Sequence, residues 1–145
     1  MKRLLAVALV LFFAAPATPA VVEFASPGTP YLPIVSLSTA QTGNGDSTNT
    51  LDRGHLRGPC LLRITSTIGA TPTVTVNVMA SMDGTNFYNV PYATTAAPET
   101  PVVAALTITT AVTTLYILRP NHPWRFLKLV YSANTNVTLT VTVAA

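Results

Sequence analysis

Charged side chains make up only 9% of the 145-residue chain, histidine occurs twice, and cysteine and tryptophan occur once each. Each scarcity closes off a class of chemistry. The single cysteine, Cys60, forms no internal disulfide, and beside Leu61 and Leu62 it reads as a small buried hydrophobe, with an intermolecular bond as the alternative. His55 and His122 are the only imidazoles a hydrolytic triad has to draw on, and His122, between Asn121 and Pro123, reads as part of a rigid turn. There is no G-x-S-x-G elbow, no C-x-x-C, no H-E-x-x-H and no Gly-rich phosphate loop before a helix. The acids are Glu23, Asp46, Asp52, Asp83 and Glu99. All fall in segments that read as arm, loop or turn, where no scaffold holds two carboxylates at the fixed separation that glycoside hydrolysis needs. Asp46, Asp52 and His55 lie near one another in sequence, but their spacing matches no calcium loop. The expectation is a protein that is not an enzyme and has no cofactor and no metal.

Positive charge is thin as well. The formal +3 includes Lys2 and Arg3; beyond residue 20, six basic side chains face five acidic ones. Arg53, Arg57, Arg63, Arg119, Arg125 and Lys128 are dispersed along the chain, so nothing forms the stripe that a phosphate backbone requires, and nucleic acid is not expected as a partner.

What is present begins with "MKRLLAVALVLFFAAPATPA". A basic start, an apolar run over residues 4–15 and small residues at Ala17 and Ala20 are the parts of a secretory signal. The run is short for a bilayer span. Residues 1–20 therefore read as a cleavable signal-like segment or, if retained, as an apolar arm that needs a partner surface; membrane contact is expected only here. Residues 21–57 read as an extended lead-in and a polar loop. Pro27, Pro30 and Pro33 block helix and central-strand pairing, which leaves an arm with Tyr31 and Leu32 as its anchors. "STAQTGNGDSTNT" has the composition of a mobile loop.

Residues 58–145 change to strand patterning. "GPCLLRITST" reads as a strand ended by a turn at Gly69 and Pro72. In "TVTVNVMAS", Val74, Val76, Val78 and Ala80 share one face and Thr73, Thr75, Asn77 and Met79 the other, because strand side chains alternate with a period of two. Asp83-Gly84 supplies the positive φ of a hairpin turn and needs no catalytic explanation. Two short strands, preferred over one bent strand, follow, with Leu106 and Ile108 and then Leu115 and Ile117 as their core positions. "WRFLKLVYS" is apolar on both faces and reads as a central strand. "ANTN" turns the chain, and Val137, Leu139, Val141 and Val143 then point inward with Thr138, Thr140 and Thr142 outward. About seven short strands without an amphipathic helix predict an all-β fold, an antiparallel β-sandwich or jelly-roll-like domain with an extended N-terminal arm. Asn136-Val137-Thr138 matches a glycosylation acceptor, a three-residue pattern that arises often by chance.

Four stretches, taken together, resemble a family of small β-rich proteins of tailed bacteriophages and related prophages. They are Arg57-Gly58 leading into an apolar strand, "GATPTVTV" over residues 69–76, "DGTNF" over residues 83–87, and "RFLKL" over residues 125–129. The resemblance covers roughly residues 36–145. It implies a structural virion protein, a capsid decoration or accessory protein that binds capsid or other virion subunits and forms a homo-oligomer, located in the virion. A secretion-like N-terminus departs from that pattern. It keeps a second reading open: a secreted β-sandwich that binds carbohydrate or a cell surface, with Tyr88, Tyr92 and Trp124 as an aromatic platform, or an extracellular filament subunit.

Overall fold

The computed structural model describes residues 20–23, 34–54, 59–118 and 124–144. Expectations for residues 1–19, for Pro27, Pro30, Tyr31, Leu32 and Pro33, for His55, Arg57 and Gly58, and for the connection at 119–123 lie outside them. Every element described is a strand: β1 (Ala20–Glu23), β2 (Val35–Gln41), β3 (Gly45–Asp46), β4 (Asn49–Asp52), β5 (Cys60–Ser81), β6 (Tyr88–Asn89), β7 (Tyr92–Thr94), β8 (Ala97–Val102), β9 (Leu106–Ile108), β10 (Thr113–Leu118) and β11 (Phe126–Ala144). The fold is all-β, and hydrogen bonds join the strands into one network. Pairing is antiparallel except between β1 and β4.

Two strands organise the rest. β5 has 22 residues and β11 has 19, and they pair from Phe126 against Ser81 to Ala144 against Leu61. Their alternation is simple: β5 buries Cys60, Leu62 and Ile64, then Val74, Val76 and Val78, while β11 buries Leu127, Leu129 and Tyr131, then Val137, Leu139, Val141 and Val143. Residues from both halves of each strand belong to one hydrophobic cluster. The long ribbon therefore folds back on itself to face its own other half, which makes a two-layer sandwich. The first layer runs β2, the C-terminal half of β11, the N-terminal half of β5, β10, β7 and β8. In the second, β4 and β3 flank the other half of β11, and β9 and β6 flank the other half of β5. A buried hydrogen bond crosses between the layers and joins the hydroxyls of Ser38 on β2 and Tyr131 on β11 at 2.8 Å.

Two expected turns are corrected. Neither Gly69 and Pro72 nor residues 133–136 end a strand, because both strands lose register at the same place, between Ser132 and Val137 opposite residues 68–75. Breaking together, they bend together. Thr71 (φ 46), Ala133 (φ 51) and Asn136 (φ 53) take the left-handed conformation there. The Asn136 side-chain amide donates to the Ala70 carbonyl at 2.7 Å. Gly69 eases this approach, since a Cβ on it would stand 3.1 Å from that of Asn136, closer than an ordinary van der Waals contact.

The polar stretch read as a mobile loop is likewise corrected, since β2, β3 and β4 occupy most of it. Its small polar residues fasten it to the sheet. Ser47 donates its N–H to the Leu129 carbonyl at 2.7 Å and its hydroxyl to the Asn49 carbonyl at 2.7 Å, and the Asn49 amide donates to the Ser36 carbonyl at 2.8 Å. In β10 the expected core positions are off by one. Tyr116 and Leu118 are buried against Leu62 and Cys60, and Leu115 and Ile117 lie on the outer face opposite Arg63 and Leu61. Residues 115–118 are all apolar, so only pairing with β5 selects the phase.

A β-branched residue in the left-handed region is strained, and relieving it stabilises the fold. Thr71→Gly is expected to raise stability by about 1 kcal/mol, read as a higher urea midpoint at unchanged m-value. A second expectation concerns Tyr131, whose hydroxyl burial pushes up to about 12 against the opposing effect of the Ser38 hydrogen bond. A raised tyrosine contributes stability that is present below the unfolded value near 10 and is lost as pH rises through the folded value. Tyr131→Phe should therefore remove roughly 2–3 kcal/mol of the stability loss between about pH 10 and 12, checked by urea unfolding across that range.

Candidate functional site

Asp83 and Gly84 stand in the connection between β5 and β6. One Asp83 carboxylate oxygen accepts from Ser81 Oγ (2.7 Å), Thr85 N (2.9 Å) and Asn86 N (2.8 Å), and the other accepts from Asn86 Nδ2 (2.8 Å). These donors, led by the Asn86 backbone N–H, hold the carboxyl far below the usual carboxylate range. Such a group is a poor general base and a good loop fastener. Gly84 has φ 76, and a Cβ there would lie 3.2 Å from Phe126 Cε2. Farther along the loop, Phe87 packs under Lys128 Nζ at 4.4 Å. The loop thus covers the outer side of β11, which explains why Phe126 and Lys128 are half-buried on a strand whose other face is core.

Two further acids, Asp52 and Asp46, are held by cations. Asp52 receives a two-pronged contact from Arg125, at 2.7 Å from Nε and 2.6 Å from the terminal nitrogen, and also accepts from Gly54 N at 2.8 Å. Asp46 pairs with Lys128 at 2.7 Å. Among the described residues no group of three His, Cys, Asp or Glu side chains is placed to hold a metal ion. Cys60 is wholly buried, and burial pushes its thiol up against the smaller opposing effect of the Arg53 charge, so it packs as a hydrophobe.

Beside the Asp83 loop, Trp124 and β6 enclose a groove of about 380 Å³. Trp124 is its buried aromatic element, and the Arg53 guanidinium lies over the indole at 4.3 Å. Tyr88, 70% exposed, and Met82, 68% exposed, stand at the rim with the amides of Asn86 and Asn89. Of the three aromatic residues offered by the sequence as a platform, Tyr88 and Trp124 line the same groove. Tyr92 does not: it is buried edge-on against Tyr116, with ring centroids 5.4 Å apart. The groove as a whole was hidden from sequence reasoning, since Trp124 and Tyr88 lie 36 positions apart and only the β5–β11 pairing joins them.

A second surface is the outer face of the first layer. The strand register places Ile117, Leu61 and Ala144 in one row, Leu115, Arg63 and Thr142 in the next, and Thr113, Thr65 and Thr140 in a third. Leu61 and Leu115 are more than two-fifths exposed, and Arg63 is the lone charge in the three rows. This is a broad plate of methyl groups and hydroxyls.

Comparison with family profiles and with curated protein sequences finds no match. Among solved structures, the crystal structure of the SPBc2 prophage-derived protein YomS is similar: TM-score 0.54 at 11% identity, covering 83% of this chain and 97% of that one. The two share a fold.

Gly84→Ala is expected to lower stability by about 1–2 kcal/mol, measured by denaturant unfolding, because the left-handed conformation and the Phe126 ring both oppose a side chain. A depressed carboxyl contributes stability that is present above the unfolded value near 3.9 and is lost as pH falls through the folded value. The Asp83 carboxyl carbon should accordingly show no NMR titration step near pH 4, where an ordinary aspartate titrates.

Proposed function

We propose that the chain is a structural component of a phage particle, a capsid decoration or accessory protein present in several copies, with no catalytic role and no cofactor. The observation that carries this reading is the fold shared with a prophage-derived protein over nearly all of that protein's length. The surface chemistry supports it. A plate of threonines with exposed Leu61 and Leu115 associates through apolar contact and hydroxyl hydrogen bonds, with little charge to desolvate. Symmetric repetition around a shell multiplies such weak contacts. Pro27, Pro30, Tyr31, Leu32 and Pro33 form the segment assigned to a neighbouring subunit, captured along a sheet edge by main-chain hydrogen bonds.

The composition of residues 1–20 favours one alternative, a secreted binding module. Particles purified from an induced lysogen carrying the gene are expected to contain this chain at a fixed ratio to the capsid protein, starting at Met1, by quantitative mass spectrometry. Recovery from the medium alone, starting at Thr18 or Val21, would establish the alternative instead. Leu61→Glu combined with Leu115→Glu is expected to weaken particle association at least about tenfold, equivalent to 1.4 kcal/mol, in a sedimentation assay.

A further inference from the structure

We propose that the groove between the Asp83 loop, β6 and Trp124 is a binding site for a neutral glycan. Its volume of about 380 Å³ is that of a small-ligand cleft. Tyr88 presents most of its ring to solvent at the mouth. With the comparably exposed Met82 it forms an apolar rim beside the pocket, and exposed apolar surface gathered at a cleft, unlike a single exposed side chain, points to a ligand. The apolar face of a pyranose stacks on such a ring, and its equatorial hydroxyls need amide donors and acceptors at the edge. Asn86 and Asn89 supply them. One N–H of the Asn86 side-chain amide is given to Asp83, and its oxygen is the acceptor assigned to a sugar hydroxyl.

Charge selects the neutral class. The rim carboxylate of Asp83 stays ionised at any physiological pH and has its acceptor capacity filled by the loop, so it repels an acidic sugar without recruiting a cation. Among the described residues no arginine or lysine lines the groove: Arg125 and Lys128 are paired with Asp52 and Asp46, and Arg53 is buried over the indole of Trp124. The site is also prearranged. Four hydrogen bonds to the Asp83 carboxylate and two to Ser81 Oγ hold the loop, and Gly84 seats it on Phe126, so little ordering remains to oppose binding. This inference rests on the groove alone and does not depend on the particle role.

Trp124 is the chain's only tryptophan, so its fluorescence reports the groove directly. Full-length protein would be titrated to millimolar concentration with cellohexaose, maltohexaose and N-acetylchitohexaose, with hexagalacturonate as the acidic control. At least one neutral probe is expected to shift Trp124 emission and the Asn86 and Asn89 NMR signals. Tyr88→Ala should weaken that binding at least about tenfold with an unchanged unfolding midpoint, while Leu115→Ala on the distant plate leaves it intact. If Tyr88→Ala proves unstable, Asn89→Ala serves as the second variant, with several-fold weakening expected. Silence from all three neutral probes overturns the proposal, as does equal binding of hexagalacturonate or binding indifferent to both groove variants.

Discussion

The rest of the structure depends on the pairing of β5 with β11. An isolated two-stranded ribbon is marginal in water, and most of the other strands attach to one of these two. Their shared corner converts one long ribbon into two facing layers. Alternation does the remaining work: when both strands keep the same residue parity inward on either side of the bend, the two halves present matching apolar faces without any chain crossing the core. Each valine, leucine or isoleucine so buried contributes roughly 1.5–3 kcal/mol, and the Ser38–Tyr131 hydrogen bond ties the layers at a point where apolar packing alone would leave a hydroxyl unsatisfied.

The corner concentrates strain, while the two candidate surfaces lie away from it. Left-handed residues at Thr71, Ala133 and Asn136 are tolerated because regular pairing resumes on both sides. The threonine and leucine plate lies on the outside of the first layer, and the groove lies where β5 ends and β11 begins. One face is broad and suited to another protein surface; the other is narrow, aromatic and hydrogen-bonding. The two proposed contacts, assembly through the first and glycan recognition through the second, therefore use separate parts of one scaffold.

Much of this was legible beforehand. The inward set of Val74, Val76, Val78 and Ala80, the inward set from Val137 to Val143, the division of residues 106–118 into two strands and the burial of Cys60 are all as the pattern indicates. Asp83-Gly84 stands in a turn, though the number of hydrogen bonds converging on its carboxylate carries no sequence signal. The platform aromatics separated into two that line one groove and one buried away from it. Tyr92 has an apolar strand neighbour in Tyr116, a contact that no local pattern announces.

The sequence by itself determined the class of fold, the parity of its longest strands and the shortage of groups that do chemistry, because these follow from side-chain type and a period of two. Only the tertiary structure decided whether a Gly, Pro or Asn break would reverse the chain or bend it, since that depends on whether the paired strand breaks at the same level. It also decided the phase of β10, where four consecutive apolar residues are locally equivalent and the partner strand alone distinguishes them. That Trp124 and Tyr88 line one groove belongs to the same kind of decision: both positions are set by pairing over long separations, and the groove is a property of the assembled sheet.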